Sequence, residues 1–143
     1  MANQLIGASL FVLFCWSRSI LAAQALDPPI SRQVERTVAV ESGKTARVGA
    51  YANVKKDCTS GPLPVIRLTG PPQEGRFVVK RARIRISKAD TCLSAEVPGL
   101  VALYRSRPGF SGADKITIEI KIPDGETRSQ TITINVKPVS LSI

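Results

Sequence analysis

The residues best suited to bind a ligand are basic and fall within nine positions, namely Lys80, Arg81, Arg83, Arg85 and Lys88. The arginines at 81, 83 and 85 alternate with apolar residues. In a β-strand their guanidinium groups would therefore share one face, about 6.5–7 Å apart. Guanidinium groups bind phosphate and carboxylate oxygens through paired hydrogen bonds, so three in a row can clamp an anionic ligand. The same alternation also arises on any strand with one solvent-exposed face, and both interpretations stay open.

Two further arginines, Arg105 and Arg107, can extend this basic patch if the fold brings them beside the strand. The whole chain carries 20 Lys and Arg against 11 Asp and Glu, a formal charge of +9. A positive surplus of this size attracts polyanions. If the protein is exported, the expected partners are an envelope protein, an anionic polysaccharide or lipid headgroups, and no nucleic acid is expected.

Residues for enzymatic chemistry are scarce. The chain has no His, which removes Ser-His-Asp and Cys-His catalysis and every His-ligated metal site. Ser60 and Ser111 lie in glycine-containing loops but have no motif that would activate them. The acidic loop residues show no calcium-binding spacing: Asp57, Asp114, Asp124 and Glu126. We therefore predict a protein that is not an enzyme and that has no cofactor and no metal site.

The first 25 residues are typical of a cleaved export signal. Residues 5–16 form a mostly apolar run of signal-peptide length, which is short for a membrane anchor. Ala23-Gln24-Ala25 has the small-x-small pattern that signal peptidase accepts, so cleavage is expected before Leu26. Retention of the segment as an anchor and lipidation of Cys15 are the alternatives. We predict a periplasmic or secreted protein whose mature chain has no transmembrane segment.

Cleavage would remove Cys15 and leave Cys58 and Cys92. In an oxidising compartment two cysteines have one intrachain pairing, so we expect a disulfide bond between them. A closed loop of this length is worth about 3–4 kcal/mol in the chain-entropy model. A redox or metal role is the alternative, although the chain has no Cys-x-x-Cys motif.

The elements that must position these residues are β-strands. Apolar and polar residues alternate with a period of two along most of the chain, and helical periodicity is rare. We predict strands at 34–40, 45–52, 65–69, 76–87, 100–105, 116–122 and 131–136, with irregular segments at 57–64 and 87–98. Seven short strands with turns between them favour an all-β, antiparallel sandwich. This domain would span 34–138, after an extended lead-in at 26–33 and before a tail at 139–143.

Two strands carry specific expectations. The last two should form a hairpin with one buried face, because isoleucine and valine recur at every second position from 116 to 122 and from 132 to 136. The basic strand contains a conflict, since Phe77 and Val79 have the same parity as Arg81. We therefore expect a bulge or a change of sheet near Lys80, or else burial of half of that face.

Before the final hairpin stand five residues at characteristic spacing, Tyr104, Pro108, Phe110, Gly112 and Asp114. The stretch 103–138 resembles the C-terminal half of bacterial immunoglobulin-like and cadherin-like modules. The resemblance implies an immunoglobulin-like sandwich from an exported, often adhesive class of proteins. The chain also resembles a small exported bacterial family of unassigned function.

The residues of this stretch also fit a sandwich corner on physical grounds. The Tyr104 hydroxyl can form a hydrogen bond there while its ring packs inward. Phe110 can close the end of the sandwich, and Gly112 suits a positive φ. Asp114 can accept hydrogen bonds from backbone N–H groups.

Two functions are compatible with these features. The first is an exported, non-enzymatic binding module that uses its basic face on an anionic envelope ligand. The second is a structural accessory domain of a larger envelope complex, with no ligand of its own. Salt-sensitive binding that depends on the arginines distinguishes the first from the second.

Overall fold

The computed structural model describes residues 32–87, 92–123 and 125–141. These residues form seven β-strands: β1 (Arg32–Glu41), β2 (Thr45–Tyr51), β3 (Val65–Gly70), β4 (Gly75–Arg85), β5 (Glu96–Ser106), β6 (Gly112–Lys121) and β7 (Thr127–Lys137). The predicted all-β class is confirmed. The predicted signal segment with Cys15, most of the lead-in, Lys88 and Asp124 lie outside the described residues. Within the described ranges, no helix is long and apolar enough to cross a membrane.

The strands form two sheets, one with the order β1-β7-β6-β3 and the other with the order β2-β5-β4. Neighbouring strands are antiparallel except β1 and β7, which are parallel. This one pair departs from the predicted antiparallel arrangement. A tight turn follows β1, with Gly43 at φ +73° and Lys44 N–H bonded to Glu41 O at 3.0 Å. This turn carries the chain to the other sheet, so β1 pairs with the last strand instead of with β2.

The core lies between the inner faces of the two sheets. The β6–β7 hairpin provides most of it, because Ile116 pairs with Ile132 and both side chains are fully buried. Val48 and Tyr104 of the three-stranded sheet close the core from the other side. Each buried isoleucine contributes about 1.5–3 kcal/mol relative to an exposed one. The predicted hairpin with one buried face is therefore confirmed.

Strand β5 is longer than the sequence pattern indicates. It begins at Glu96, whereas we expected an irregular segment up to Pro98 and a strand from Leu100. Proline argued against a strand because it has no N–H to donate to a ladder. Pro98 lies opposite Arg83 of β4, beyond the last pair that β5 forms with β2, which is Leu100 with Tyr51. A proline is tolerated there because one side of β5 has no described strand to pair with.

The predicted disulfide bond between Cys58 and Cys92 is present, with Cα atoms 5.2 Å apart. It joins the loop after β2 to the connection between β4 and β5. Cys92 is buried, and the hydrogen bond from Ser94 N–H to Ile86 O, 2.9 Å, holds the same connection. The bond therefore ties two irregular segments at one end of the three-stranded sheet.

Candidate anion-binding surface

The exposure pattern of β4 changes phase in the middle of the strand. Phe77 and Val79 are half-buried, Lys80 and Arg81 are both exposed, and beyond them Arg83 is exposed. The ladder to β5 nevertheless runs in unbroken register from Gly75–Ser106 to Arg85–Glu96. Of the three outcomes expected near Lys80, a bulge and a change of sheet are therefore wrong. One face of the strand is buried over its first half and exposed over its second.

The reason is that β4 and β5 extend past the end of β2. Beyond the end of β2, the loop that follows β2 covers the face of β4 and β5 that carries Ile84 and Val97. Ile84 is therefore half-buried and Val97 is buried. Ala52 and Val54, from the loop after β2, line one groove together with Ile84. The disulfide bond fixes this loop. The arginines at 81, 83 and 85 have the opposite parity to Ile84 and are exposed, and Arg83 and Arg85 also border this groove.

One carboxylate already occupies part of the predicted arginine clamp. Glu96 forms ion pairs with Arg85, 3.0 Å between Nη2 and Oε1, and with Arg83, 3.6 Å between Nε and Oε2. The hydrogen bond and charge of Arg85, with a smaller effect from Arg83, hold the pKa of Glu96 below its ordinary value. Arg81 forms no ion pair with any described residue. The positive charge on this side of β4 is thus partly neutralised by Glu96 of the neighbouring strand.

A second group of cations lies on the outer face of the three-stranded sheet, which we call the basic face: Arg47, Arg76, Lys80 and Arg105. Arg76 and Lys80 share a parity on β4 opposite to that of Arg81. Arg105 is the direct cross-strand partner of Arg76, and Arg47 and Val78 both lie opposite Leu103. All four cations are exposed, and no described strand residue with this outward parity is acidic.

The Arg76–Arg105 pair is the unusual feature of the basic face. Directly opposed residues on antiparallel strands have Cβ atoms about 4.5–5.5 Å apart, and like charges at such positions are destabilising. Neither arginine forms an ion pair with a described residue. The fold gains nothing from this juxtaposition, whereas an anion placed between the two guanidinium groups would relieve it.

An open groove of about 370 Å³ runs from this pair toward the loop after β5. Arg76, Arg105 and Arg107 line it. Arg107 is held in place by Glu74, 2.6 Å between Nη2 and Oε2, and its guanidinium lies 6.0 Å from the ring centre of Phe110. The groove thus combines two cations that have no ion pair with a described residue, Arg76 and Arg105, with the Arg107–Glu74 ion pair.

The structure therefore divides the predicted patch. Arg81, Arg83 and Arg85 lie on one side of β4, while Lys80 and Arg105 lie on the other, and Arg107 borders the groove. The sequence pattern did not single out Arg47 and Arg76, which also belong to the basic face. The shared parity of Arg76 and Lys80 was visible in the sequence, but the opposition of Arg76 to Arg105 depends on a strand register that the sequence does not give.

The corner beside the groove has the predicted hydrogen bonds. The Tyr104 hydroxyl donates to Asp114 Oδ2 at 2.9 Å, and the N–H groups of Gln73, Glu74 and Lys115 donate to the same carboxylate at 2.9–3.0 Å. Burial would raise the pKa of Asp114, but these bonds outweigh it and lower the pKa below the ordinary value. Burial and the Asp114 bond raise the pKa of Tyr104. This network fixes the position of Glu74 and, through it, that of Arg107.

The other corner residues behave as expected. Gly112 has φ +137°, a conformation that side chains disfavour. Phe110 is half-buried and packs against the core, and Pro108 is exposed next to Gly43.

The acidic residues considered as calcium ligands have other roles. Asp57 accepts hydrogen bonds from the N–H and hydroxyl of Thr59, which lower its pKa, and Glu126 pairs with Arg128 at 2.9 Å. Among the residues that the structure describes, no cluster of three or more Asp, Glu or Cys side chains could hold a metal ion.

Comparison with known proteins gives little. No family model and no curated protein matches the chain. Among solved structures the chain is similar to the solution structure of amebosin, with 13% sequence identity and a TM-score of 0.40, over 75% of this chain and 98% of that one. This likeness is too low to assign a fold family or a function.

Proposed function

We propose that the protein is an exported, non-enzymatic binding module that takes the anionic groups of an envelope polymer on its basic face. The observation that carries the proposal is the opposition of Arg76 and Arg105 on a sheet face without acidic strand residues. The distance from Arg76 to Lys80 along β4 is about 13 Å, so the face spans more than one charged group. A polymer with repeated carboxylate or phosphate groups fits this spacing better than a single small anion.

An immunoglobulin-like module is the family type that we propose. The sheet orders β2-β5-β4 and β7-β6-β3 correspond to those of an immunoglobulin constant-type sandwich, apart from the position of β1. The Tyr104 corner supports the same assignment. Export is supported by the pattern of the first 25 residues and by the disulfide bond, which is typical of oxidising compartments.

The test is a binding titration of protein purified from cells that express the full chain. The probes are dextran sulfate, neutral dextran, and phosphatidylglycerol vesicles, each over a range of salt concentrations. We expect dextran sulfate to bind and neutral dextran not to bind. Added salt should weaken the complex because it screens exposed charges. Stronger capture by the vesicles would contradict a polymer ligand in favour of a lipid surface.

The deciding comparison uses two double variants with the same change in net charge. Arg76→Gln/Arg105→Gln removes the opposed pair, and we expect it to weaken dextran sulfate binding about tenfold or more, equivalent to about 1.4 kcal/mol. Arg83→Gln/Arg85→Gln changes the other side of the same strand and should have a much smaller effect. Equal losses in the two variants would show a response to net charge alone and would refute a site on the basic face.

One observation favours the structural accessory function as a second candidate. Strand β3 is an edge of the four-stranded sheet, and its side chains Val65 and Leu68 are 60% and 40% exposed. An exposed apolar edge strand can pair with a strand of another protein. A stoichiometric protein partner that survives high salt and both arginine variants, but is lost with Leu68→Lys, would support this function instead.

A further inference from the structure

A cleft of about 330 Å³ lies between the two sheets, at the end opposite the Tyr104 corner. It is lined by residues of four strands and of the chain after β6, among them Val34, Arg36, Tyr51, Ile120, Ile122 and Gln130. Gln130 is near the start of β7, whereas Asp114 of the corner pairs with Ile134 further along that strand. Its volume is at the lower end of the range for small-molecule sites.

Two residues that line the cleft, Tyr51 and Gln130, form a hydrogen bond that joins the two sheets. The Tyr51 hydroxyl on β2 donates to Gln130 Oε1 on β7 at 2.6 Å. Gln130 is 8% exposed, and its amide nitrogen forms no hydrogen bond with a described residue. Because Oε1 is already used, the remaining polar group of Gln130 is a pair of N–H donors. The amide nitrogen is not among the buried side-chain atoms that have no partner, so it can donate to water or to a ligand in the cleft.

A positive charge lies at the same place. Arg36 pairs with Ile132 and so occupies a position with inward parity on β1, where Val38 and Val40 pack against or within the core. It forms no ion pair with any described residue, while Arg128, the other arginine of the cleft, pairs with Glu126. Burial raises the pKa of Tyr51 to about 12, and the charge of Arg36 acts against this rise. The Arg36 guanidinium is therefore close enough to the Tyr51 hydroxyl to interact with it electrostatically.

The remaining walls are apolar. Val34, Ile120 and Ile122 line the cleft, as does Pro64 before β3. Val34 is 40% exposed although its parity on β1 is that of the buried Val40. The cleft thus presents an exposed arginine that has no ion pair with a described residue and an amide donor, both next to hydrocarbon, which matches a ligand with one anionic group and an apolar body.

We propose that this cleft binds a small amphipathic carboxylic acid, with its carboxylate at Arg36 and the Gln130 amide and its hydrocarbon against Ile120 and Ile122. The guanidinium and the amide supply the charge-assisted and neutral hydrogen bonds that a carboxylate accepts. The site is separate from the basic face and does not depend on the function proposed for that face.

The experiment is a titration of the isotope-labelled protein, purified from cells that express the full chain, with octanoate and with 1-octanol. The two probes have the same chain length, and octanol lacks the charge. We expect octanoate to produce saturable NMR shifts at the Gln130 side-chain amide and the Ile122 methyl groups. Octanol should bind at least tenfold more weakly.

Two matched variants locate the carboxylate. Arg36→Gln should weaken octanoate binding at least tenfold and leave dextran sulfate binding unchanged. Arg67→Gln removes an exposed arginine from β3 of the same sheet and should leave octanoate binding unchanged. Both side chains are exposed, so we expect both variants to fold, with thermal unfolding as the check.

Three results would overturn the proposal. The first is the absence of saturable shifts at Gln130 and Ile122. The second is equal binding of octanoate and octanol, which would remove the carboxylate from the interaction. The third is an equal effect of Arg36→Gln and Arg67→Gln. None of these results would bear on dextran sulfate binding at the basic face.

Discussion

Asp114 illustrates how a single residue fixes this fold. Its carboxylate accepts four hydrogen bonds, three from backbone N–H groups and one from Tyr104, and its side chain is buried. Hydrogen bonds to a charged group contribute about 1.5–3 kcal/mol each, more than neutral ones. The carboxylate therefore ties the loop before β4 to the β5–β6 corner, and it does so in its ionised form.

Replacing Tyr104 by Phe removes one of these bonds without creating a cavity. We expect Tyr104→Phe to lower the free energy of unfolding by about 1.5–3 kcal/mol, because the bond that is lost ends on a charged, buried acceptor. Chemical denaturation measures the change. Tyr51→Phe is the control, since it removes a tyrosine hydroxyl whose acceptor is a neutral amide, and its loss should be smaller. Equal losses would show that the charge on Asp114 adds nothing.

The pKa of Asp114 predicts a pH dependence of stability. The pKa is lowered in the folded state, so the folded protein binds fewer protons than the unfolded chain at acidic pH. The stabilisation is complete above the unfolded value, about 3.9, and is lost as the pH falls through the lower folded value. We expect Asp114→Asn to be less stable than the wild type at pH 7 and to lose less stability between pH 5 and pH 2. If the free energies of unfolding of the wild type and of Asp114→Asn fall equally between pH 5 and pH 2, Asp114 is not the source of this pH dependence.

At the scale of elements, the sequence predicts strands well where both faces have constant surroundings. The β6–β7 hairpin was predictable because its inner face is buried along its length. Two features of β4 and β5 were not, since the alternation on β4 shifts at Lys80 and β5 starts at Glu96. Both features arise because the paired strands β4 and β5 extend past the end of β2 and are covered there by a loop. This covering depends on contacts between segments that are distant in sequence.

The disulfide bond holds the loop after β2 against β4 and β5. We expect Cys58→Ser/Cys92→Ser to destabilise the protein by about 3–4 kcal/mol in the chain-entropy model. The loss should be local first, because the bond ties the loop after β2 to the β4–β5 connection and not to the hairpin. Hydrogen exchange should therefore accelerate at Val97 and Ile84 more than at Ile118. Uniform acceleration would mean that the ribbon and the hairpin unfold as one unit.

At the scale of the whole molecule, the two sheets differ in the charge of their outer faces. The four-stranded sheet carries acids among its bases, as in the Arg67–Glu119 pair at 3.2 Å. The three-stranded sheet carries Arg47, Arg76, Lys80 and Arg105, and no outward-facing acid on its described strands. Such a one-sided field orients the protein toward a polyanion and is also a source of internal repulsion.

This asymmetry predicts a trade between stability and binding. Arg105→Gln removes one of two opposed like charges, so we expect it to raise the free energy of unfolding by about 0.2–1 kcal/mol at low salt. The gain should disappear at high salt, where repulsion between exposed charges is screened. Arg67→Gln is the matched control, because it breaks an attractive pair and should not stabilise the protein. Thermal unfolding at two salt concentrations measures the stability of both variants, and dextran sulfate titration of the same samples measures binding.

An Arg105→Gln protein that is more stable at low salt and binds dextran sulfate less well shows that the free protein retains Arg105 at a cost in stability that an anionic ligand offsets. An Arg105→Gln protein that is no more stable than the Arg67→Gln control would show that the opposed pair is not strained.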